Sequence, residues 1–169
     1  LDIDDEGAII RAQPLRGPWS GQAQKNWMPL VDEGNLKYVY AAEPTTIFSL
    51  NKGYVIDFSA DCTFGHGRLR GGSQGVKVDG GWIFVVHDVA FPGAGRFYLH
   101  RFVLLNEQLQ LVSMSDLFYF ERLGIEFCAG LAMVNGKLVA SYAVNDGSAK
   151  LAIFEWEAVK KALHGDFVI

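Results

Sequence analysis

The sequence predicts an all-β protein, a β-propeller of four-stranded antiparallel blades that ends in a short helix. The first observation is a repeated frame, in which a short strand, a tight turn and a longer apolar strand occur at residues 28–42, 75–89 and 130–144. The three copies align without a gap. A period of about fifty residues with several short strands is typical of propeller blades.

The second observation is that the strand after each turn is almost continuously apolar, as in Trp-Ile-Phe-Val-Val at 82–86. Strands buried on both faces have this composition, and blades stacked between neighbours bury both faces. The third is the position of the key residues within the frame. It aligns Gly34, Gly81 and Gly136 at the turn, and Tyr40, His87 and Tyr142 near the end of the second strand. An ordinary β-sandwich with chance similarity between hairpins is the alternative.

A single domain over residues 1–169 follows from the repeat. Residues 1–24 are expected to be the end of a preceding blade and a linker, because 1–15 echo 105–117. Blades are expected at 25–60, 74–116 and 117–169, with a Gly/Arg loop at 61–73 and a closing helix near 155–163. About three blades of a five-bladed propeller are thus present, and we expect the N-terminal blades to be missing.

The composition indicates which classes of binding partner are not expected. The net charge is −4 and the basic residues form no run, so no nucleic-acid partner is expected. No apolar run reaches the roughly 20 residues of a membrane span, so no membrane partner is expected either. The two cysteines, Cys62 and Cys128, are far apart and are expected to be buried in a reduced setting, which favours the cytoplasm. No metal motif is present.

A propeller brings the polar ends of its inner strands to one axis, where a small ligand binds. Tyr40, His87 and Tyr142 therefore suggest a pocket wall that hydrogen-bonds hydroxyls or an anion. His87 could equally be a satisfied core residue. Arg68 and Arg70 lie in a glycine-rich loop that suits an anion or is simply solvated.

Further candidates come from single positions. Glu126 begins an apolar strand, where a carboxylate is costly unless it is paired or faces a pocket. Asp146 either holds sugar hydroxyls or forms a turn. Lys25, Asn26 and Trp27 offer an ammonium, an amide and an aromatic surface for a sugar ring.

At these residues the chain resembles glycoside hydrolase family 130, the five-bladed β-mannoside phosphorylases and hydrolases. The family's Lys-Asn element is matched by Lys25 and Asn26, and its Gly-Trp strand that ends in Tyr-His-Gly is matched by residues 81–88. Its glutamate before a glycine-bearing strand is matched by 126–130, and its Tyr-rich motif ending in Asp by 141–146. The resemblance covers about residues 25–163.

The resemblance implies that His87 and Arg70 bind inorganic phosphate as a co-substrate, and that Asp146 holds sugar hydroxyls. No other cofactor is implied. The family's catalytic aspartate has no matching segment, and Asp88 and Ala143 stand where the family has glycine. Related propeller domains also occur beside glycosyltransferases, and the Arg-Gly-Gly-Ser-Gln at 70–74 is similar to that divergent group.

The sequence therefore predicts a carbohydrate-active domain, similar to glycoside phosphorylases and hydrolases but incomplete for catalysis because its general acid is missing. A non-catalytic glycan-binding module associated with a glycosyltransferase, or a protein-interaction propeller, are the alternatives. We also expect a homo-oligomer that covers the open blade faces.

Overall fold

The computed structural model describes residues 2–12, 25–49, 55–59, 69, 71–91, 93 and 95–164, with the backbone alone for 2 and 55–59. These residues form antiparallel sheets and one short helix, which confirms the all-β prediction. The described sheets do not close into a ring, and the propeller therefore stays a prediction. A small hairpin of β1 (Asp2–Ile3) and β2 (Ile9–Arg11) comes first.

Three meandering sheets follow in chain order, and each is antiparallel. Sheet A contains β3 (Met28–Asp32), β4 (Asn35–Ala41), β5 (Thr46–Ser49) and β6 (Val55–Ser59). Sheet B contains β7 (Val76–Val78), β8 (Gly81–Ala90), β9 (Phe97–Asn106) and β10 (Leu111–Ser115). Sheet C contains β11 (Glu126–Val134), β12 (Lys137–Val144) and β13 (Ser148–Glu155). The predicted strands of the three blades lie within a few residues of these bounds.

The C-terminal helix α1 (Trp156–Ala162) begins without a side-chain cap and buries Val159. It leads into β14 (Leu163–His164), which returns to sheet B and pairs with β10 as a fifth strand. The Ser113 hydroxyl donates to the His164 carbonyl at 2.7 Å and holds this return. Among the described residues, no helix has the length and apolar character that a membrane crossing needs.

The turn between the first two strands of each sheet corrects the predicted repeat frame. In sheet B the turn residues are Asp79 and Gly80, since Val78 pairs with Gly81, and Gly80 has φ +85°. Gly34 and Gly136 occupy the same turn position, each with φ +76°. The true frame is therefore Gly34, Gly80, Gly136, and the predicted alignment of Gly81 with these glycines is wrong by one residue.

Because side chains alternate along a strand, this shift moves His87 to the other face of its sheet. Val86, not His87, is the counterpart of Tyr40 and Tyr142. Gly81 is required for a different reason, because a Cβ there would lie 1.9 Å from the Leu105 carbonyl oxygen of the neighbouring strand.

The sheets stack face to face in chain order. We call the side of a sheet that points to the next sheet its forward face, and the opposite side its rear face. The forward face of sheet A, with Val39 and Ile47, packs on the rear face of sheet B, with Trp82, Phe84 and Val86. The forward face of sheet B, with Ile83, Val85, Phe102 and Leu104, packs on the rear face of sheet C, with Leu138 and Ala140. β8 is thus buried on both sides, which explains its continuous apolar run.

The first strands of the three sheets lie side by side and form the inner edge of the stack. The Gly75 N–H donates to the Pro29 carbonyl of β3 at 2.8 Å. On the other side, the Gln74 side-chain amide makes two hydrogen bonds to the backbone of Leu131 in β11. Its Nε2 donates to the Leu131 carbonyl at 2.5 Å, and its Oε1 accepts from the Leu131 N–H at 3.2 Å. Gln74 and Gly75, just before β7, therefore tie the inner strands of sheets A and C together.

Candidate functional site

His87 lies where the N-terminal ends of all three inner strands meet. From the segment before β3, Lys25 is close enough to act electrostatically on its imidazole. Gly71, a few residues before β7, lies against its Cε1 atom. Phe127, near the start of β11, contacts the His87 ring with centroids 5.3 Å apart. The His87 side chain in β8 therefore lies near the start of the inner strand of every sheet.

Gly71 is the closest point of this convergence. A Cβ on Gly71 would lie 2.6 Å from His87 Cε1 and 3.0 Å from Asn26 Nδ2, and its φ is +73°. Asn26 itself has φ +58°, which asparagine tolerates better than most residues. Because Gly71 has no side chain, the Asn26 amide and the His87 imidazole can both lie close to the Gly71 backbone.

The His87 imidazole is neutral at pH 7. Burial and, to a smaller extent, the positive charge of Lys25 together lower the pKa of His87 to about 4. Its Nδ1 atom is buried and has no hydrogen-bond partner within the described residues. A neutral imidazole offers one donor and one acceptor, the pair that a hydroxyl group needs.

His100 stands directly opposite His87 in the β8–β9 pairing and is fully buried. Phe120 packs on its ring at 4.8 Å, and neither ring nitrogen makes a well-formed hydrogen bond in the described part of the chain. Burial and then His87 lower the pKa of His100 to about 4, while the nearby Phe118 carbonyl opposes this shift weakly. The sequence analysis missed His100, which a hairpin centred on residues 91–96 would have placed opposite His87.

Tyr98, also missed, packs on His87 at 5.2 Å and carries the Arg96 guanidinium over its ring, 5.2 Å from the centroid. The end of the β8–β9 hairpin thus adds an aromatic ring and a cation beside the histidine. Within the described ranges, no group of three His, Cys, Asp or Glu side chains could hold a metal ion.

The Glu126 carboxylate is bound by backbone N–H groups of its own chain. Its carboxylate is buried and accepts backbone N–H groups from Phe120 at 2.7 Å and from Glu121 and Arg122 at 3.0 Å each. Three such bonds satisfy a buried carboxylate without any ligand. The sequence analysis recognised that this acid needed a partner, and the partner in the structure is the loop before β11.

Of the two tyrosines, only Tyr142 shares an inter-sheet space with His87, because the rear face of sheet C packs on the forward face of sheet B. Tyr40 is buried on the rear face of sheet A and Tyr142 on the rear face of sheet C, where Phe120 stacks on it at 4.3 Å. His87 lies on the forward face of sheet B. The prediction that these three residues share one position is wrong, for the register reason given above.

Of the remaining predicted residues, some lie near His87 and others do not. Trp27 packs edge-on against Phe48 at 4.9 Å and Tyr38 at 5.8 Å, so part of its aromatic surface is already used. Asp146 is exposed, with φ +53°, in the turn after β12. Arg70 lies outside the described residues, and its proximity to His87 stays a prediction. The structure thus brings together Lys25, Asn26 and His87.

Two grooves elsewhere are lined by residues of sheets A and B and of the segment before β7. One of about 310 Å³ is lined by Pro29, Leu30, Val31, Gln74, Gly75, Lys77 and Trp82. A second of about 500 Å³ is lined by Val31, Asp32, Glu33, Lys77, Trp82, Glu107 and Gln108. In the larger one, Lys77 lies over the Trp82 ring at 3.8 Å and pairs with Glu107 at 3.3 Å, and Asp32 pairs with Lys37. These groups satisfy one another, whereas the His87 Nδ1 atom has no such partner, and we therefore place the candidate site at His87.

No protein-family model matches the chain, and no curated protein is significantly similar to it.

Proposed function

We propose that this chain is part of a β-propeller that binds a carbohydrate around His87, at the N-terminal ends of its inner strands. The observation that carries the proposal is the approach of three inner-strand ends to one half-buried, neutral histidine whose Nδ1 is unpartnered among the described residues. Sheets that stack in chain order with their first strands side by side also support a propeller-like arrangement.

The chemistry of these groups suits hydroxyls better than a bare anion. The neutral imidazole and the Asn26 amide each supply both donor and acceptor atoms, which is the usual requirement for a sugar hydroxyl. Lys25 is exposed and supplies a positive charge nearby, which allows for a phosphate or a carboxylate on the ligand. A neutral His87 can donate one N–H to a phosphate oxygen but adds no positive charge to that contact, because its burial opposes ionisation.

The proposed function is carbohydrate binding, and glycoside phosphorolysis or hydrolysis would be a further step. Such a reaction needs a protonated carboxyl group beside the leaving oxygen. The buried Glu126 carboxylate is occupied by three backbone donors, so we do not assign it this role. Catalysis therefore depends on an acid from outside this group of residues.

Titration calorimetry and chemical-shift mapping with β-linked mannobiose, cellobiose and inorganic phosphate test the proposal. We expect weak sugar binding, with a dissociation constant of about 1 mM, the level at which a few hydrogen bonds operate. His87→Ala should abolish it. Asn26→Gly should weaken it about tenfold, since glycine keeps the left-handed backbone and removes the amide.

His164→Ala is the matched control, because His164 is an exposed histidine at the end of sheet B. It should leave binding unchanged. If no sugar in the panel perturbs the His87 resonances at 10 mM, or if His87→Ala binds as well as the natural chain, the proposal fails.

A further inference from the structure

Two imidazole rings lie side by side on the forward face of sheet B. His100 donates its backbone N–H to the Phe118 carbonyl at 2.7 Å and accepts the Phe118 N–H at 2.9 Å. Its backbone groups therefore point away from β8, and its pairing with His87 is of the non-hydrogen-bonded kind, in which the side chains lie closest. The Cβ atoms of such a pair are about 5 Å apart, so the two imidazoles can share one small partner.

The ring nitrogens of this pair lack partners among the described residues. His100 is 0% exposed, and neither of its ring nitrogens makes a well-formed hydrogen bond there. The Nδ1 atom of His87 is buried and unpartnered as well. Phe120 packs on His100 and Phe127 on His87, so the surroundings of the pair are aromatic. Buried polar atoms normally have partners, and three unpartnered nitrogens in one place indicate a ligand that binds imidazole.

A buried negative charge lies next to the pair. Glu126 is 0% exposed, and its carboxylate accepts the Phe120 N–H at 2.7 Å. Phe120 packs on His100, and Phe127, which follows Glu126 in β11, contacts His87. Three backbone N–H groups satisfy the hydrogen bonding of this carboxylate, but no lysine or arginine side chain in the described part of the chain pairs with its charge. An uncompensated buried charge is costly, and a cation held by the histidines would offset it.

The available ligands select the kind of cation. Imidazole nitrogens suit copper, zinc and nickel, and the neutral ring is the form that binds a metal. Both rings are neutral at pH 7, since burial is the main cause that lowers the pKa of His87 and of His100 to about 4. The described residues contain no group of three candidate ligands, whereas structural zinc almost always takes four. Cu(I) binds two imidazoles in line and carries the single positive charge that Glu126 would balance.

We propose that His87 and His100 form a two-histidine site for Cu(I), with Glu126 as the buried counter-charge. Metal–imidazole bonds of about 2 Å, as for zinc, place two nitrogens about 4 Å apart, which the Cβ spacing of this pair allows. On His87 the ion takes the buried Nδ1 atom and leaves the rest of the half-buried ring for a sugar. The copper site does not rest on the proposed sugar binding, and either can fail without the other.

Anaerobic titration of the chain with Cu(I), in competition with a coloured Cu(I) chelator, tests this. We expect one ion per chain, and X-ray absorption should show nitrogen ligands and no sulfur. His87→Phe and His100→Phe keep an aromatic ring and remove the nitrogens, and each should abolish binding. Glu126→Gln should weaken binding by about 10–100-fold, the usual effect of losing a group just outside the metal ligands. Zn(II) should not displace Cu(I).

Cys128→Ala and His164→Ala are the controls. Cys128 is a free thiol that could otherwise bind copper, although burial raises its pKa to about 12 and keeps it protonated. His164 is an exposed histidine at the end of sheet B. Both variants should bind Cu(I) like the natural chain, and circular dichroism should show that every variant is folded. No binding by the natural chain, sulfur in the X-ray absorption, or unchanged binding in His100→Phe would each overturn the proposal.

Discussion

His87 and His100 are directly paired across β8 and β9, and both imidazoles are held neutral by burial. Cross-strand partners on the same sheet face lie about 5 Å apart at Cβ, so protonation of one opposes protonation of the other. The protein therefore contains two neighbouring basic groups that resist ionisation until the pH approaches 4.

This pairing makes stability depend on pH. In the unfolded chain both histidines bind a proton near their ordinary pKa of about 6.5, whereas in the folded chain they do so only near 4. Between these values the unfolded state binds more protons, so the free energy of unfolding falls as the pH is lowered through this window and is constant above it. We expect a loss of about 2 kcal/mol between pH 7 and pH 5, after allowing for partial exposure of His87.

Urea unfolding of the natural chain and of His100→Leu at both pH values measures this dependence. The variant should lose about half as much stability on acidification, and His164→Gln should behave like the natural chain. An identical pH dependence in His100→Leu would contradict the assignment.

A second prediction concerns Glu126. Glu126→Gln places an NH2 group where one of the backbone donors now finds an oxygen, so at least one N–H from residues 120–122 loses its acceptor. Bonds to a charged group are worth about 1.5–3 kcal/mol, and we expect a loss of about 2 kcal/mol in the free energy of unfolding. Denaturant titration measures it.

Glu121→Gln is the control, because the exposed Glu121 carboxylate pairs with Lys150 at the surface and the substitution leaves the backbone N–H of residue 121 in place. Its stability should hardly change. Equal effects of the two substitutions would show that the buried carboxylate is unimportant to the loop.

The strands could be predicted because their signals are local. Alternation, turn glycines and apolar runs lie within a few residues of one another, and they identified all three meandering sheets. The repeat frame failed at one place because Gly80 and Gly81 are adjacent and both have positive φ. Only the pairing of Val78 with Gly81 decides which one makes the turn.

The candidate site was harder to predict because its members come from distant segments. His87, Lys25 and Asn26 were identified by their type and by the family resemblance, and the structure brings them together. His100 and Phe127 were missed, since their proximity to His87 follows from strand pairing and sheet stacking. For Glu126, burial was predictable from its apolar neighbours, whereas its backbone partners depend on the shape of a loop.

A third prediction isolates the close approach at Gly71. Gly71→Ala combines a left-handed backbone with a Cβ that meets His87, whereas Gly136→Ala has the same backbone strain and nothing within 4 Å. The strain alone costs roughly 1–2 kcal/mol. We expect Gly71→Ala to cost at least about 1 kcal/mol more, because His87 is packed on several sides and cannot move freely.

Thermal and urea unfolding of the two variants, with histidine chemical shifts, separates these contributions. Gly71→Ala should also shift the His87 resonances and abolish sugar binding, and Gly136→Ala should do neither. Indistinguishable stabilities and spectra would mean that Gly71 does not shape the site.

The last prediction concerns Gln74, which joins the inner strands of sheets B and C. Its amide satisfies both the N–H and the carbonyl of Leu131. Gln74→Leu leaves both backbone groups without a partner, and we expect a cost of about 2 kcal/mol. Gln74→Glu keeps an acceptor for the Leu131 N–H but sets an oxygen against the carbonyl, so it should also destabilise the protein.

Hydrogen exchange of the Leu131 amide should accelerate more in Gln74→Leu than in Gln74→Glu, because only the leucine removes its acceptor. Gln110→Ala, which removes an exposed bond to Asn106, is the control and should change stability by less than about 0.5 kcal/mol. Unchanged protection of Leu131 in Gln74→Leu would show that this side chain does not couple the two sheets.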